Sequence, residues 1–347
     1  MSATTRARSS ARSTHDGFVP IIDISPLFSA NSTDRRSLAK QIDKACRDVG
    51  FYVTTGHNVR ASLLADVEAE ARNFFDLPLD QKMKLHVGLS ASAVGYATIG
   101  DRALAYTRGE KTPPDLNESF SIAKVDVNPA DPYFHTETAK SLIPENKWPE
   151  GHEKMRSAFE DYYKRMARLA ADLLGLSAIA LALPEDYFVD KIDRHISRLT
   201  LRLYPEQTEK PLPGQLRAGP HTDYGTITIL RPGDSVGGLQ VIDRDGVWHN
   251  VPSVPDSFVV NQGDLMVRWT NDRWLSNLHR VVNPPEDAGG GSRRLSIVFF
   301  YHPNYDVVID CLPTCRDEGE AAKYEPIKVA DYYSLKRQQQ KAPALRS

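Results

Sequence analysis

The sequence predicts a mainly β protein with flanking helices, built on a double-stranded β-helix, the jelly-roll core. Two observations support this fold class. Apolar residues recur about every 3.6 positions before His195 and about every second position after it. Glycine and proline separate nearly all of the short strand candidates in the second half. Many short strands at regular spacing indicate antiparallel sheets in a sandwich or barrel, and we expect the helices to pack outside it.

Two short strands and several helices are predicted in the N-terminal half. The stretches VPIIDIS and FYVTTGH favour strands, because β-branched and aromatic residues cluster there. Helical spacing of apolar residues predicts helices over residues 34–49, 63–75 and 155–173, with a further helical segment up to residue 183. Residues 85–149 are rich in Pro, Gly, Asp and Ser, so we expect them to be mostly loop.

Eight strand candidates follow one another in the second half. They span residues 197–204, 221–230, 238–243, 247–251, 257–270, 278–282, 293–301 and 307–310. No internal repeat occurs, which argues against solenoids and propellers. The strand candidates therefore define the predicted core.

The chain is divided accordingly into four segments that form one catalytic unit. Residues 1–17 are expected to be a disordered tail, although their Arg- and Ser-rich composition also fits a targeting segment. Residues 18–195 are expected to pack on the barrel, and residues 196–310 form the jelly-roll catalytic core. Residues 311–347 form a C-terminal segment, whose helix either closes over the barrel mouth as a lid or lies on the surface, the second being preferred.

Net charge and cysteine content restrict the possible partners. The formal net charge is −2 and the basic residues are scattered, so the chain lacks the field that holds nucleic acid or an anionic membrane. We expect a small-molecule substrate and a monomer, with an oligomer left open. Cys46, Cys311 and Cys315 are too few for a disulfide framework, which favours a reducing, cytoplasmic environment. No apolar run approaches the roughly 20 residues of a membrane span.

The motif His221-Thr222-Asp223 stands at the start of an alternating apolar strand candidate. Side chains two apart on a strand project from one face, so both would reach one ion inside a barrel. Alone, this spacing also fits a surface hydrogen bond. His279, far along the chain, offers a third ligand, and two imidazoles with one carboxylate form the facial triad typical of non-haem Fe(II), with open positions for substrate and dioxygen. A structural zinc site would need a fourth ligand, usually cysteine.

A second pair, Arg294 and Ser296, also lies two apart on a strand candidate, within SRRLSIVFFY. The two side chains alternate with apolar neighbours and therefore share one face. A charge inside a barrel needs a partner, and Arg is suited to holding a carboxylate through two hydrogen bonds. Arg294 is therefore either an anion-binding residue, a partner of a barrel Asp, or a charge on the solvent face.

In order and in separation, these motifs resemble the signature of the 2-oxoglutarate and Fe(II)-dependent dioxygenases of the isopenicillin N synthase-like group. The similarity covers most of the chain: ACRDVGFYVTTGH and NFFDLPLDQKMKL resemble the family's N-terminal region, and LRLYP, GGLQV and VNQGDLM resemble strands around its site. The resemblance implies that His221, Asp223 and His279 hold Fe(II). It also implies a reaction with O2 that converts 2-oxoglutarate to succinate and CO2 while oxidising a small molecule. Asn261 is then a candidate hydrogen-bonding residue behind the metal ligands, or a turn residue.

The resemblance further implies a binding site for 2-oxoglutarate. Arg294 and Ser296 would bind its distal carboxylate, and Tyr204 matches a tyrosine that assists them in relatives. If Tyr204 points inward, so does Arg202, which would meet an anionic group on the substrate or pair with an acidic neighbour. Phe300 shares the inward position and would form an apolar wall near the iron.

Two other functions stay open at the level of sequence. In the isopenicillin N synthase type of oxidase the Arg-x-Ser pair binds a substrate carboxylate, and no 2-oxoglutarate is needed. A jelly-roll binding protein without redox chemistry would keep the scaffold alone. The oxidised product is equally open, since desaturation or ring formation can replace hydroxylation.

Overall fold

Two β-sheets enclose an inner apolar cluster, and helices cover the outer face of the larger sheet. The computed structural model describes residues 17–88, 94–101, 103–110, 112–233, 237–285, 291–316, 319 and 321–341. The tail predicted over residues 1–17 lies outside these residues except for Gly17, and so do residues 342–347 of the C-terminal segment. No helix among the described residues is long and apolar enough to cross a membrane.

Fourteen strands and eight α-helices occur in the described part of the chain. The strands are β1 (Ile21–Asp23), β2 (Phe51–Thr55), β3 (Gly95–Ala97), β4 (Glu118–Ile122), β5 (Arg198–Tyr204), β6 (Ala218–His221), β7 (Ile227–Pro232), β8 (Leu239–Ile242), β9 (Trp248–Asn250), β10 (Phe258–Gln262), β11 (His279–Val281), β12 (Arg294–Tyr301), β13 (Val308–Ile309) and β14 (Ile327–Lys328). The helices are α1 (Ser32–Asp48), α2 (Ala61–Phe75), α3 (Leu79–Met83), α4 (Glu137–Leu142), α5 (Glu153–Ala180), α6 (Val189–Ile192), α7 (Asp264–Trp269) and α8 (Val329–Lys341).

The larger sheet has eight strands in the order β1-β2-β10-β7-β12-β5-β4-β3, and the smaller has four in the order β6-β11-β8-β9. Strands β1 and β2 pair in parallel. The other pairs in these two sheets, within the described residues, are antiparallel. Two mainly antiparallel sheets with helices outside are the architecture expected of a jelly roll, and this confirms the predicted fold class.

Helices α1, α2 and α5 form a layer on the outer face of the larger sheet. On β12, Leu295, Ile297 and Phe299 point into this layer and are fully buried. Each such side chain contributes about 1.5–3 kcal/mol by leaving water. The apolar stripe of α5 that meets the sheet consists of Met155, Phe159, Tyr162, Met166, Leu169 and Leu173. This stripe follows the spacing predicted from the sequence.

The inner faces of the two sheets meet in a second, smaller apolar cluster. Its larger-sheet members are Phe51, Val53, Tyr204, Leu230, Val259 and Val298, and its smaller-sheet members are Ala218, Leu239, Val241 and Val281. The cluster leaves a partly open cavity between the sheets. The candidate site residues lie around this cavity.

The prediction of one strand over residues 221–230 is wrong. The segment is divided between β6 and β7, which belong to different sheets. A Cβ on Gly225 would come within 2.5 Å of the Tyr301 carbonyl oxygen, and the Thr226 N–H donates to that same oxygen at 2.9 Å. The chain therefore turns from one sheet to the other against the end of β12, and Asp223 lies in this turn rather than on a strand.

The prediction of one strand over residues 257–270 is also wrong, because only its first part is β10 and the rest is α7. The side chains of Leu265, Met266 and Trp269 are buried at helical spacing. An apolar run of this length fits a buried helix as well as a buried strand, so periodicity alone did not separate the two.

The middle stretch, residues 85–149, holds more regular structure than a loop. It contains β3, β4 and α4, and β4 pairs with β5 in the larger sheet. All five residues of β4 are buried. Its alternation of Ser with Phe and Ile was hidden by the Pro- and Asp-rich segments on both sides.

Candidate active site

His221 and His279 meet on neighbouring strands of the smaller sheet. They are directly opposite each other in the β6–β11 pair, and their ring centroids lie 4.2 Å apart. The Nδ1 of His221 donates to the carbonyl of Gly219 at 2.8 Å, and the Nδ1 of His279 donates to the carbonyl of Asn277 at 3.2 Å. Because a carbonyl only accepts, Nδ1 carries a proton in each ring, and Nε2 is the nitrogen through which each ring, when neutral, can bind a metal.

Asp223 completes the cluster from the turn after β6. Its Oδ1 lies 3.8 Å from the Nε2 of His279. Its Oδ2 accepts hydrogen bonds from the Asn261 amide at 2.8 Å and from the Thr228 hydroxyl at 2.7 Å. The two carboxylate oxygens are therefore different: Oδ2 is held by the larger sheet, and Oδ1 faces the histidines.

The start of α7 holds the turn that carries Asp223. The Asp264 N–H donates to the Asp223 carbonyl at 2.8 Å, and the Gly263 N–H donates to the Thr226 carbonyl at 2.8 Å. A Cβ on Gly263 would come within 3.0 Å of the Asp223 carbonyl oxygen, so a larger residue would push the two segments apart. The position of the carboxylate therefore depends on both its backbone and its side chain.

Burial and mutual proximity set the protonation states of the cluster. Burial and the neighbouring His279 lower the pKa of His221 to about 3, so this ring is neutral at pH 7. Burial alone would raise the pKa of Asp223. Attraction to the imidazoles when they carry a second proton, together with the hydrogen bonds from Asn261 and Thr228, outweighs that effect, and the pKa of Asp223 lies below its usual value. A neutral imidazole and an ionised carboxylate are the forms that bind a divalent metal.

Together the three residues form a compact donor set. One ligand atom from each lies within 4.8 Å of the other two, and the cluster is the one group of this kind found within the described residues. Two imidazole nitrogens and one carboxylate oxygen suit Fe(II) and leave coordination positions open. The residues present therefore fit a non-haem iron.

Arg294 and Ser296 lie on the inner face of β12, in the same cavity. They are 4% and 1% exposed. Neither Nη1 of Arg294 nor Oγ of Ser296 has a hydrogen-bond partner within the described residues. Tyr204, opposite Arg294 on β5, places its ring centre 5.3 Å from the guanidinium carbon. Unsatisfied buried donors are costly, and a carboxylate would satisfy both, so the pair fits one end of 2-oxoglutarate.

The cavity contains every site residue that the sequence singled out. Its walls are formed by His221, Asp223, His279, Arg294, Ser296, Tyr204, Arg202, Phe300 and Asn261, with Phe51, Leu104, Ala218, Thr228, Leu230, Leu239, Val281 and Val298. The partner of Arg202 is Asn117, whose Oδ1 accepts from Nη1 at 3.3 Å. The acidic neighbour considered as an alternative is not found among the described residues.

Two polar residues that hydrogen-bond to predicted site residues were missed from the sequence, Thr228 and Asn117. Thr228 lies on β7, which directly follows the turn that carries Asp223, and its hydroxyl reaches back to that carboxylate. The inward position of Thr228 follows from the alternation in TITIL, which would have identified it. Asn117 precedes β4, and no local pattern indicates that this strand pairs with β5.

The jelly roll holds a His-x-Asp pair together with a distant His, and beside this cluster lie buried Arg and Ser side chains with polar atoms that have no partner among the described residues. This combination defines the class of non-haem iron oxygenases. Two family models agree. Residues 19–151 match the N-terminal region of non-haem dioxygenases in morphine synthesis, and residues 195–303 match the 2OG-Fe(II) oxygenase superfamily. The chain belongs to the 2-oxoglutarate and Fe(II)-dependent oxygenase family.

Relatives from fungi and plants extend over nearly the whole chain. A 2-oxoglutarate-Fe(II) type oxidoreductase of Emericella nidulans is 35% identical and covers 90% of this chain and 87% of its own. Homoarginine-6-hydroxylase of Oryza sativa subsp. japonica is 30% identical, over 90% of this chain and 94% of its own. The crystal structure of a full-length Neurospora crassa protein in complex with alpha-KG, which is 2-oxoglutarate, superposes with a TM-score of 0.80 at 29% identity, over 93% of this chain and 97% of that one.

These similarities confirm the predicted reaction class. The protein is an Fe(II)- and 2-oxoglutarate-dependent dioxygenase that couples conversion of 2-oxoglutarate to succinate and CO2 with oxidation of a small molecule by O2. The two rival functions, an oxidase independent of 2-oxoglutarate and a non-catalytic binding protein, are not supported by these relatives.

Proposed function

We propose that the Nε2 atoms of His221 and His279 and the Oδ1 of Asp223 hold the Fe(II), and that Arg294 and Ser296 bind the distal carboxylate of 2-oxoglutarate. The observation that carries this assignment is the pair of buried, unpartnered donors on β12, in the same cavity as the metal-ligand cluster. Such donors are rare in folded proteins unless a ligand or water satisfies them.

When bound, Fe(II) and 2-oxoglutarate supply the oxidising chemistry, which uses O2 to attack an unactivated C–H bond of the substrate. The protein's residues position these groups. Asn261 and Thr228 hold Oδ2 of Asp223, which leaves Oδ1 for the metal. The ring of Tyr204 packs beside the Arg294 guanidinium and keeps it directed into the cavity.

The prime substrate is a small molecule that enters beside the iron, against Arg202 and Phe300. Phe300 lies on the inner face of β12 and gives this part of the cavity an apolar wall, which limits water near the oxidised carbon. Hydroxylation is the expected outcome, and desaturation or ring formation would require the hydroxyl transfer to be slow.

We also propose the domain organisation, oligomeric state and cellular environment that the sequence predicts. Residues 196–310 form the catalytic core, with residues 18–195 and 311–347 completing one catalytic unit that works as a monomer. The chain has three cysteines, Cys46, Cys311 and Cys315, too few for a disulfide framework, and we therefore propose a reducing, cytoplasmic environment.

Succinate formation tests the proposal. Purified protein with Fe(II), O2 and 2-oxoglutarate should release succinate slowly alone and faster with a substrate. The Ser296→Ala and Arg294→Gln variants should each need more 2-oxoglutarate to reach half of the maximal rate. Substrate oxidation without succinate would contradict the assignment of these two residues.

A further inference from the structure

Arg202 is a buried charge without a charged partner. It lies on the inner face of β5, opposite Ser119 of β4 and Ser296 of β12, and is 8% exposed. Its one side-chain hydrogen bond among the described residues is the 3.3 Å contact with the Asn117 amide oxygen. No Asp or Glu of the described chain forms an ion pair with it. A guanidinium held by a single neutral acceptor has donors left for a ligand.

Once the charges already assigned to the site are counted, the positive charge of Arg202 has no counter-charge. In the proposed complex, the Fe(II) ion and Arg294 are balanced by the carboxylate of Asp223 and the dianion 2-oxoglutarate. The loaded centre is then formally neutral, and the charge of Arg202 is added to it. A buried charge is stable when it is paired, and the group that enters last is the prime substrate.

Apart from Arg202 and the residues already assigned to the metal ligands and to 2-oxoglutarate, the cavity is lined by apolar side chains. Phe51, Leu104, Leu230, Val298 and Phe300 line it together with Arg202. A ligand that satisfies this surface has an apolar body and one acidic group. The planar fork of Arg202 matches a carboxylate, which accepts two parallel hydrogen bonds.

We propose that the prime substrate is a small organic acid with an apolar body, and that Arg202 binds its carboxylate. This inference rests on the proposed function, because the excess charge appears only when Fe(II) and 2-oxoglutarate occupy their assigned places. Asn117 is a positioning residue for the acid: its Nδ2 donates to the Arg217 carbonyl at 2.8 Å, and its Oδ1 then points to the guanidinium of Arg202.

Matched acids and amides test the substrate class. The probes are phenyl-, indolyl- and straight-chain alkyl-carboxylic acids, each compared with its primary amide, added to the full chain with Fe(II) and 2-oxoglutarate. Two readouts are used: the rate of succinate formation in air, and the shift of the thermal unfolding midpoint under nitrogen. We expect at least one acid to accelerate succinate formation and to stabilise the protein, with its amide having about one tenth of the effect or less, because a hydrogen-bonded charge is lost.

Two variants assign the effect to Arg202. In Arg202→Gln the effective acid should need a concentration about tenfold higher or more, whereas calorimetric binding of 2-oxoglutarate under nitrogen should be unchanged. Asn117→Asp keeps Arg202 but supplies it with an internal carboxylate, and should therefore weaken binding of the acid to a similar extent. Arg293→Gln is the matched control: this neighbour of Arg294 pairs with Asp76 at 2.5 Å on the exposed side of the sheet and should leave both ligands unaffected.

Several outcomes would overturn the inference. Amides as effective as acids, no response to any acid, or an acid response that Arg202→Gln leaves intact would each reject the acid site. A weaker binding of 2-oxoglutarate to Arg202→Gln would show that Arg202 belongs to the co-substrate instead. If the unmutated protein fails to bind 2-oxoglutarate at all, the proposed function itself is wrong, so the two failures are distinguishable.

Discussion

The two faces of strand β12 carry different tasks. On the outer face, Leu295, Ile297 and Phe299 are packed against helices and have only apolar atoms to bury. On the inner face, Arg294 and Ser296 are equally buried and hold polar atoms without protein partners among the described residues. Adjacent residues of β12 therefore have different roles: those that face outward stabilise the fold, and those that face inward are available to bind ligands. Variants of the outer face should change folding without changing ligand use, and variants of the inner face should do the reverse.

The largest expected effect is on the metal. Replacing His279 by Ala removes one of three ligands, so we expect Fe(II) bound under nitrogen, measured by iron analysis after desalting, to fall to background and succinate formation to stop. His249→Ala is the control, because this histidine lies on β9 of the same sheet and pairs with Asp243 outside the site. Stoichiometric iron in His279→Ala would refute the ligand set.

The next effect compares neighbouring phenylalanines on opposite faces. Phe299→Ala should lower the free energy of unfolding by about 3–5 kcal/mol, because a fully buried ring leaves a cavity in the helix layer. Phe300→Ala should cost less, since Phe300 is only partly buried and lines a cavity that already exists. It should instead increase succinate formed without oxidised product. Urea unfolding measures the stability of both variants, and product analysis measures succinate formed without oxidised product. Equal losses of stability would contradict the expected difference between the two faces.

Much of the inner face could be anticipated from the sequence, because alternation along one strand is local. Arg294, Ser296 and Phe300 share a side of β12 by their spacing alone, and the structure places all three at the cavity. The sequence correctly predicted that His221 and Asp223 lie close together, but the reason given was wrong. The two side chains converge because a turn crosses between sheets, and not because they share a strand face.

Contacts between distant strands were not accessible in this way. That Asn117 contacts Arg202 depends on which strands are neighbours in the sheet, and period-2 alternation carries no information on strand order. The apolar run over residues 257–270 failed for a related reason. Its length and hydrophobicity fit both β10 and α7, and only packing decides between them.

A smaller effect is expected for the co-substrate. Arg294→Lys replaces a planar fork by a point charge, so the concentration of 2-oxoglutarate at half-maximal rate should rise about tenfold or more. The free energy of unfolding should fall little, because the charge is kept and the outer face of β12 is unaltered. The assay is succinate formation over a 2-oxoglutarate titration, with urea unfolding beside it. An unchanged requirement would place the distal carboxylate elsewhere.

The smallest effect is expected for a residue that positions a metal ligand without binding the metal itself. Thr228→Val removes a hydroxyl at nearly constant shape and leaves Asn261 as the one side chain, within the described residues, that donates to Oδ2 of Asp223. Loss of a partner behind a metal ligand lowers metal affinity by roughly 10- to 100-fold, and we expect the low end because the second hydrogen bond persists. Thr200→Val is the matched control, since the Thr200 hydroxyl pairs with Ser121 at 2.9 Å away from the metal cluster. Fe(II) competition with a chelator under nitrogen measures both variants, and equal affinities would mean that the turn backbone alone, held by α7, positions the carboxylate.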